Sequence, residues 1–197
     1  MELVKVCYGC GQAPHGDPER CAQCGVLGPI RYQNRMKTLP DGTQIKEGPW
    51  KHAKHHFDDR VRRYLESEGN YENDLEQGLW RYYHPSGAIY REVEIQHGQW
   101  HGLFRQWNRQ GQILEERMYE DDIKSGPATE WYDDGVKKCE GSYKASEKNG
   151  QWLTYHKTGE LLSEATFEGA KRIKVRYFKP NGEEAISAVA ALLGNDE

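Results

Sequence analysis

Cys7 and Cys10 form one Cys-x-x-Cys pair and Cys21 and Cys24 a second, in the stretch CYGCGQAPHGDPERCAQCG. Two such pairs supply four thiolates for a tetrahedral Zn2+, and Gly11 and Gly25 permit the tight turn behind each pair. The expected chemistry is structural, one Zn2+ held by Cys7, Cys10, Cys21 and Cys24. So short a segment cannot bury enough apolar surface to fold unaided, whereas zinc contributes on the order of 10 kcal/mol. A catalytic zinc keeps a vacant position, which four cysteines do not leave, so His15 reads as a solvent-exposed loop histidine. A redox pair would need a surrounding β-α-β pattern, and none is visible.

Other residues could do chemistry, but they assemble into no catalytic set. KHAKHH brings His52, His55 and His56 together as a candidate second metal site. No carboxylate or cysteine completes it, and a histidine-rich surface strand is the plainer reading. Cys139 stands where other copies of the pattern described below have Arg91, Glu115 and Ser163, so it reads as a tolerated small residue. There is no Gly-x-Ser-x-Gly elbow, Walker-type phosphate loop or His-Glu-x-x-His helix. The chain is expected to have no catalytic activity of its own.

These residues must be positioned by a repeated unit. Gly78, Gly102, Gly126 and Gly150 recur at a spacing of twenty-four residues, and Gly87, Gly111, Gly135, Gly159 and Gly182 follow nearly the same beat. Each copy holds an aromatic run, a three-residue turn ending in glycine and a second extended run, the pattern of a β-hairpin. Across each turn Tyr83, Trp107, Trp131 and Tyr155 should face Ile89, Ile113, Lys137 and Leu161 as a buried ladder. Strand alternation counted from there puts Ile95, Tyr119, Tyr143 and Phe167 on the same face. Trp80, Phe104 and Trp152 read either as anchors for a partner or as half-buried sheet residues.

A degenerate copy runs from Gly48, and half a unit lies around Gly42. The expected organisation is a zinc module over 1–30, degenerate units and a basic segment over 31–77, regular repeats over 78–182, and a capping helix and tail over 183–197. The 36% hydrophobic content, with twelve Tyr and six Trp, suits aromatic strands with a thin core. No run approaches the ~18 apolar residues of a membrane span, and no signal-peptide stretch precedes the cysteines. Four cysteines in metal-type pairs fit a reducing compartment, so a cytoplasmic location without membrane insertion is expected.

The repeats, typified by GLWRYYHPSGAIYREVEIQHGQWHG, resemble the MORN-repeat family in its bacterial variant, over roughly residues 40 to 182. The first thirty residues resemble a zinc ribbon. The resemblance implies an elongated single-layer antiparallel β-meander. It further implies kinship with YwqK-type antitoxins or immunity proteins, which are paired with secreted toxins. Residues 1–65 carry eleven Lys/Arg against seven Asp/Glu, whereas 66–197 carry sixteen against twenty-four. An acidic array suits a cationic protein partner such as a toxin domain. Glu92, Glu116, Glu140 and Glu164 form a column that reads either as a negative line for that partner or as a solvated face with local ion pairs. Nucleic-acid binding through the zinc module and basic segment is the alternative, and a passive scaffold a third reading.

Overall fold

The structure is a computed structural model and describes residues 34–57, 61–188 and 192. Among the described residues every element of regular length is a β-strand, and Ala188 and Leu192 alone are helical. The chain divides into two units, Met1–Ala88 and Ile89–Glu197. In the first, β1 (Met36–Thr38) and β2 (Gln44–Lys46) make a separate hairpin. The strands β3 (Gly48–Phe57), β4 (Val61–Glu72) and β5 (Leu75–Tyr83) pair antiparallel in chain order.

The second unit is a meander of its own, with β6 (Ile89–Gln96), β7 (Gln99–Trp107), β8 (Ile113–Glu120), β9 (Ile123–Trp131) and β10 (Lys137–Lys144). It ends with β11 (Glu147–Tyr155), β12 (Leu161–Glu168), β13 (Lys171–Phe178) and the two-residue β14 (Glu184–Ala185). Each strand of this unit pairs antiparallel with the next. The expected antiparallel hairpin meander is therefore present. Glu184 and Ala185, assigned above to a helix, instead extend the sheet; Ala185 buries its methyl against Leu162 and Tyr177. The rest of that expected helix falls largely outside the described residues.

Two kinds of turn alternate. At the tips, the N–H of Gly135 donates to the Tyr132 carbonyl at 2.9 Å while the N–H of Tyr132 donates to Val136 at 2.8 Å. The same pair of bonds closes the tips at Gly42, Gly87, Gly111, Gly159 and Gly182. Gly135 has φ 87, a conformation that a Cβ disfavours, so the glycine is dictated by the turn.

At the other ends two-residue turns close the hairpins, as in Glu72↔Leu75, Glu120↔Ile123 and Lys144↔Glu147. Their central residues have positive φ, the mark of a type I′ turn: Asn73-Asp74, His97-Gly98, Asp121-Asp122 and Ala145-Ser146. Neighbouring turns are stitched together, since Asp122 accepts from the Trp100 N–H at 2.8 Å and Ser146 Oγ from the Lys124 N–H at 3.1 Å. Ala145, at φ 51, has no side-chain means of favouring that conformation. Ala145→Asn should raise the stability of the second unit by about 0.5–1 kcal/mol in urea unfolding.

The opening glycines mark bulges rather than hairpin corners. Val93 pairs with Phe104 and Ile95 with Trp100, so β7 carries extra residues around Gly102, whose φ is 108. The same shift brackets Gly78 in β5 and Gly150 in β11. A bulge leaves a carbonyl without its ladder partner, and the indole N–H two residues after the glycine supplies one. Trp80 Nε1 donates to the Asn70 carbonyl at 3.2 Å and Trp152 Nε1 to the Ser142 carbonyl at 3.1 Å.

Candidate functional site

In each unit one sheet face holds the core, with Trp80 on it in the first and Phe104, Ala128 and Trp152 in the second. Trp80 is 1% exposed and Phe104 and Trp152 are each 3% exposed, so the aromatics weighed as partner anchors are instead core residues, alongside Val93 and Ile95. The reason is steric pairing across the type I′ hairpins. Gly69 lies under the Trp80 ring and Gly141 under the Trp152 ring; a Cβ at either glycine would sit 2.2 or 2.3 Å from the indole. Val93 stands opposite Phe104, and Arg117 opposite Ala128. Small residues meet large ones in every pair, and the pair members are always eleven positions apart in sequence.

Further aromatics close over this column. In the first unit Tyr71 meets Trp80 edge-on at 5.2 Å and Trp50 at 5.4 Å. In the second, Trp100 stacks on Phe104 at 5.4 Å, Tyr119 meets Trp100 at 5.0 Å, and Tyr143 meets Trp152 at 5.0 Å. Cations lie over the outer rings: Lys46 over Tyr71, Arg117 over Phe104, Lys124 over Tyr143 and Lys148 over Trp152.

The expected ladder is half right. Trp107 does face Ile113, Trp131 faces Lys137 and Tyr155 faces Leu161. These residues are only half-buried and lie on the face opposite Phe104 and Trp152. Tyr119 and Tyr143 are with the core instead, because the register shifts beside each tip, as at Gln106/Trp107, and a one-residue shift exchanges the faces.

That opposite face carries the glutamate column. Glu116 pairs with Arg105 at 2.8 Å, Glu140 with Lys137 at 2.8 Å and Glu164 with Arg176 at 3.6 Å. Glu92 lies opposite Arg105 in the register. Glu140 also accepts from the Tyr155 hydroxyl at 2.5 Å, and Glu68 accepts from Tyr83 in the same way. The Lys137 ammonium and the Tyr155 hydroxyl together hold Glu140 below the usual carboxylate range, while burial and Glu140 push Tyr155 up to about 12. The column is thus a face of alternating ion pairs rather than an unbroken negative line. Between its rows in the second unit lie Leu103, half-buried, and Pro127 and Gln151, exposed; Leu79 holds the equivalent position in the first unit and is exposed. This column adjoins the core column at opposite parity, and counting alternation from Trp80 identifies it.

Residues 76–97, 124–145 and 148–168 match the family described as MORN repeat variant. The chain carries MORN-variant repeats. No curated protein matches it. Within the repeat frame the tip glycines and the bulge glycines keep their residue type, whereas the column at Leu79, Leu103, Pro127 and Gln151 does not.

Cys7, Cys10, Cys21 and Cys24 lie outside the described residues, as do the side chains of His55 and His56. Among the described residues no group of three or more metal-type ligands occurs. Burial pushes the Cys139 thiol up, with the Glu130 carboxylate beside it acting in the same direction, which disfavours the thiolate that a nucleophile needs. Among the described residues no helix is long and apolar enough to cross a membrane.

His52 is built into the core of the first unit, 5.8 Å from Trp80 and 3.5 Å from the Tyr71 hydroxyl. Burial lowers its pKa, Lys46 lowers it further, and Glu66 opposes them. A depressed histidine takes up its proton in the unfolded chain first, so folding stability is full above the ordinary histidine value and falls as pH drops below it. The first unit should therefore lose stability as pH falls below the ordinary histidine value, and His52→Phe should flatten that slope in denaturant titrations.

Proposed function

We propose that the MORN array is a protein-binding module that recognises a cationic partner, a bacterial toxin domain, and neutralises it by occupying it. The observation that carries this reading is the contrast between a fixed frame and a changing exposed column. The tip glycines repeat and each core pair sets a small residue against a large one, whereas the neighbouring column passes from Leu79 and Leu103 to Pro127 and Gln151. A repeat whose frame is constant and whose exposed positions differ can be fitted to one partner without risk to the fold. MORN repeats are generally protein- or membrane-binding modules. The excess of Asp/Glu over Lys/Arg in 66–197 favours encounter with a cation-rich protein.

In this reading the array acts by binding alone, in the cytoplasm. A single structural Zn2+ on Cys7, Cys10, Cys21 and Cys24 holds the segment ahead of it. Glu92, Glu116, Glu140 and Glu164 contribute through the ion pairs that stiffen the partner-facing side. The test is co-expression with the protein encoded by the neighbouring gene. A stable complex on size exclusion, together with relief of that protein's toxicity, is the expected result. Absence of a complex with the purified pair would refute the antitoxin role.

A further inference from the structure

The last long strand has one side only partly occupied. β13 pairs with β12 from Tyr177 to Lys171, but on its other side β14 covers only Tyr177 and Phe178. Among the described residues no strand lies against Lys171–Arg176 on that side, so backbone N–H and C=O groups there are free to pair with an added strand.

The side chains along this stretch are Lys171, Arg172, Ile173, Lys174, Val175 and Arg176. Its four cations are exposed, and Ile173 is 48% exposed. Lys171 and Arg172 make no ion pair among the described residues. A second copy of β13 added antiparallel would set cations against cations, which disfavours self-pairing. An acidic strand would meet complementary charge along the whole stretch.

β14 shows the mode of addition on a two-residue scale. Glu184 holds Arg176 with two bonds, 3.2 Å to Nε and 3.1 Å to the terminal nitrogen, and Arg176, with help from Lys174, keeps that carboxyl below its ordinary range. Ala185, the next residue, turns to the opposite face and is 7% exposed against Leu162 and Tyr177. An acidic residue on the Arg176 face alternating with a small apolar residue on the Tyr177 face is thus the pattern that this edge already accepts. Lys174 and Val175 continue the two faces along the open stretch.

We infer that the open edge of β13 is a docking site for an extended segment of a partner protein in which acidic and small apolar residues alternate. The segment adds to the sheet as a strand: main-chain hydrogen bonds hold it, and Lys174 and Arg176 select the charge. This surface is separate from the exposed column assigned above to the cationic partner.

The experiment uses the full chain and a fluorescein-labelled peptide, Glu-Ala-Glu-Val-Glu-Ala-Glu, read by anisotropy. A peptide of the same composition with its glutamates in one block should bind at least about tenfold more weakly, because it cannot place charge and methyl on opposite faces. A peptide with its amides N-methylated on the edge-facing side should lose binding similarly. Lys174→Glu should weaken the acidic peptide by about tenfold or more, with circular dichroism unchanged, whereas Arg172→Glu, which the register shift at Ile173 places on the other face, should weaken it less. Equal binding of the alternating and blocked peptides, or of heparin in their place, would show mere polyanion attraction and overturn the inference. So would no binding of any peptide combined with aggregation of a Lys174→Val variant, since the cations would then serve only to guard the edge.

Discussion

Gly141→Val should destabilise the second unit by about 3 kcal/mol, and adding Trp152→Phe should recover most of that loss. The Trp152 ring occupies the space where a Cβ at residue 141 would lie, 2.3 Å from the indole, and the ring cannot withdraw while its Nε1 holds the Ser142 carbonyl. Trp152→Phe alone should cost about 1–2 kcal/mol, through loss of that bond to a buried acceptor. The double variant, however, recreates at 141 and 152 the pair that the chain already uses at Val93 and Phe104. A coupling of about 3 kcal/mol in a double-mutant cycle is expected from urea unfolding. Additive losses would show that the small-with-large pairing does not organise the repeats.

The second large effect lies at the zinc module proposed for residues 1–30. The purified, reduced protein should contain one zinc per chain, and Cys7→Ser with Cys21→Ser should abolish it. Metal release removes on the order of 10 kcal/mol of binding free energy from a segment too short to fold without it, so cleavage within 1–30 should become rapid. Cys139→Ser should leave the zinc content unchanged. A zinc-free wild-type protein, or full retention of metal in the double serine variant, would contradict the assignment.

The tip turns were legible in the sequence because their conformation excludes most residue types. Gly135 at φ 87 and its equivalents leave a compositional mark that survives without packing. The two-residue turns left a weaker mark, since Asn73-Asp74 signals a turn but Ala145-Ser146 does not. Faces were misassigned for a geometric reason. Alternation holds within an uninterrupted strand, and the shifts beside Trp107 and around Gly102 exchange sides between the tip and the bulge. Trp80, Phe104 and Trp152 therefore look exposed when counted from the tip ladder, yet are buried. The missing signal was present as a volume pattern, glycine eleven residues before tryptophan and valine eleven before phenylalanine.

The glutamate column shows a different limit. Its period is plain in the sequence, but its function depends on what stands across the strands. Arg105, Lys137 and Arg176 are supplied by neighbouring positions whose alignment requires the register. Periodicity locates a column; pairing decides whether its charge faces outward uncompensated.

The central claim is that a fixed MORN frame presents a changing exposed column to a cationic protein partner. It is tested most directly by titrating the neighbouring gene's product, calorimetrically, into the wild-type chain and into a Leu103→Arg/Pro127→Arg variant. Both substituted side chains lie off the core face, so unfolding should be unchanged. The account predicts that the variant binds at least about tenfold more weakly, and that wild-type association slows as salt rises. Undiminished affinity in the variant would contradict it, as would a chain that ignores the protein and instead binds DNA or RNA with a steep salt dependence.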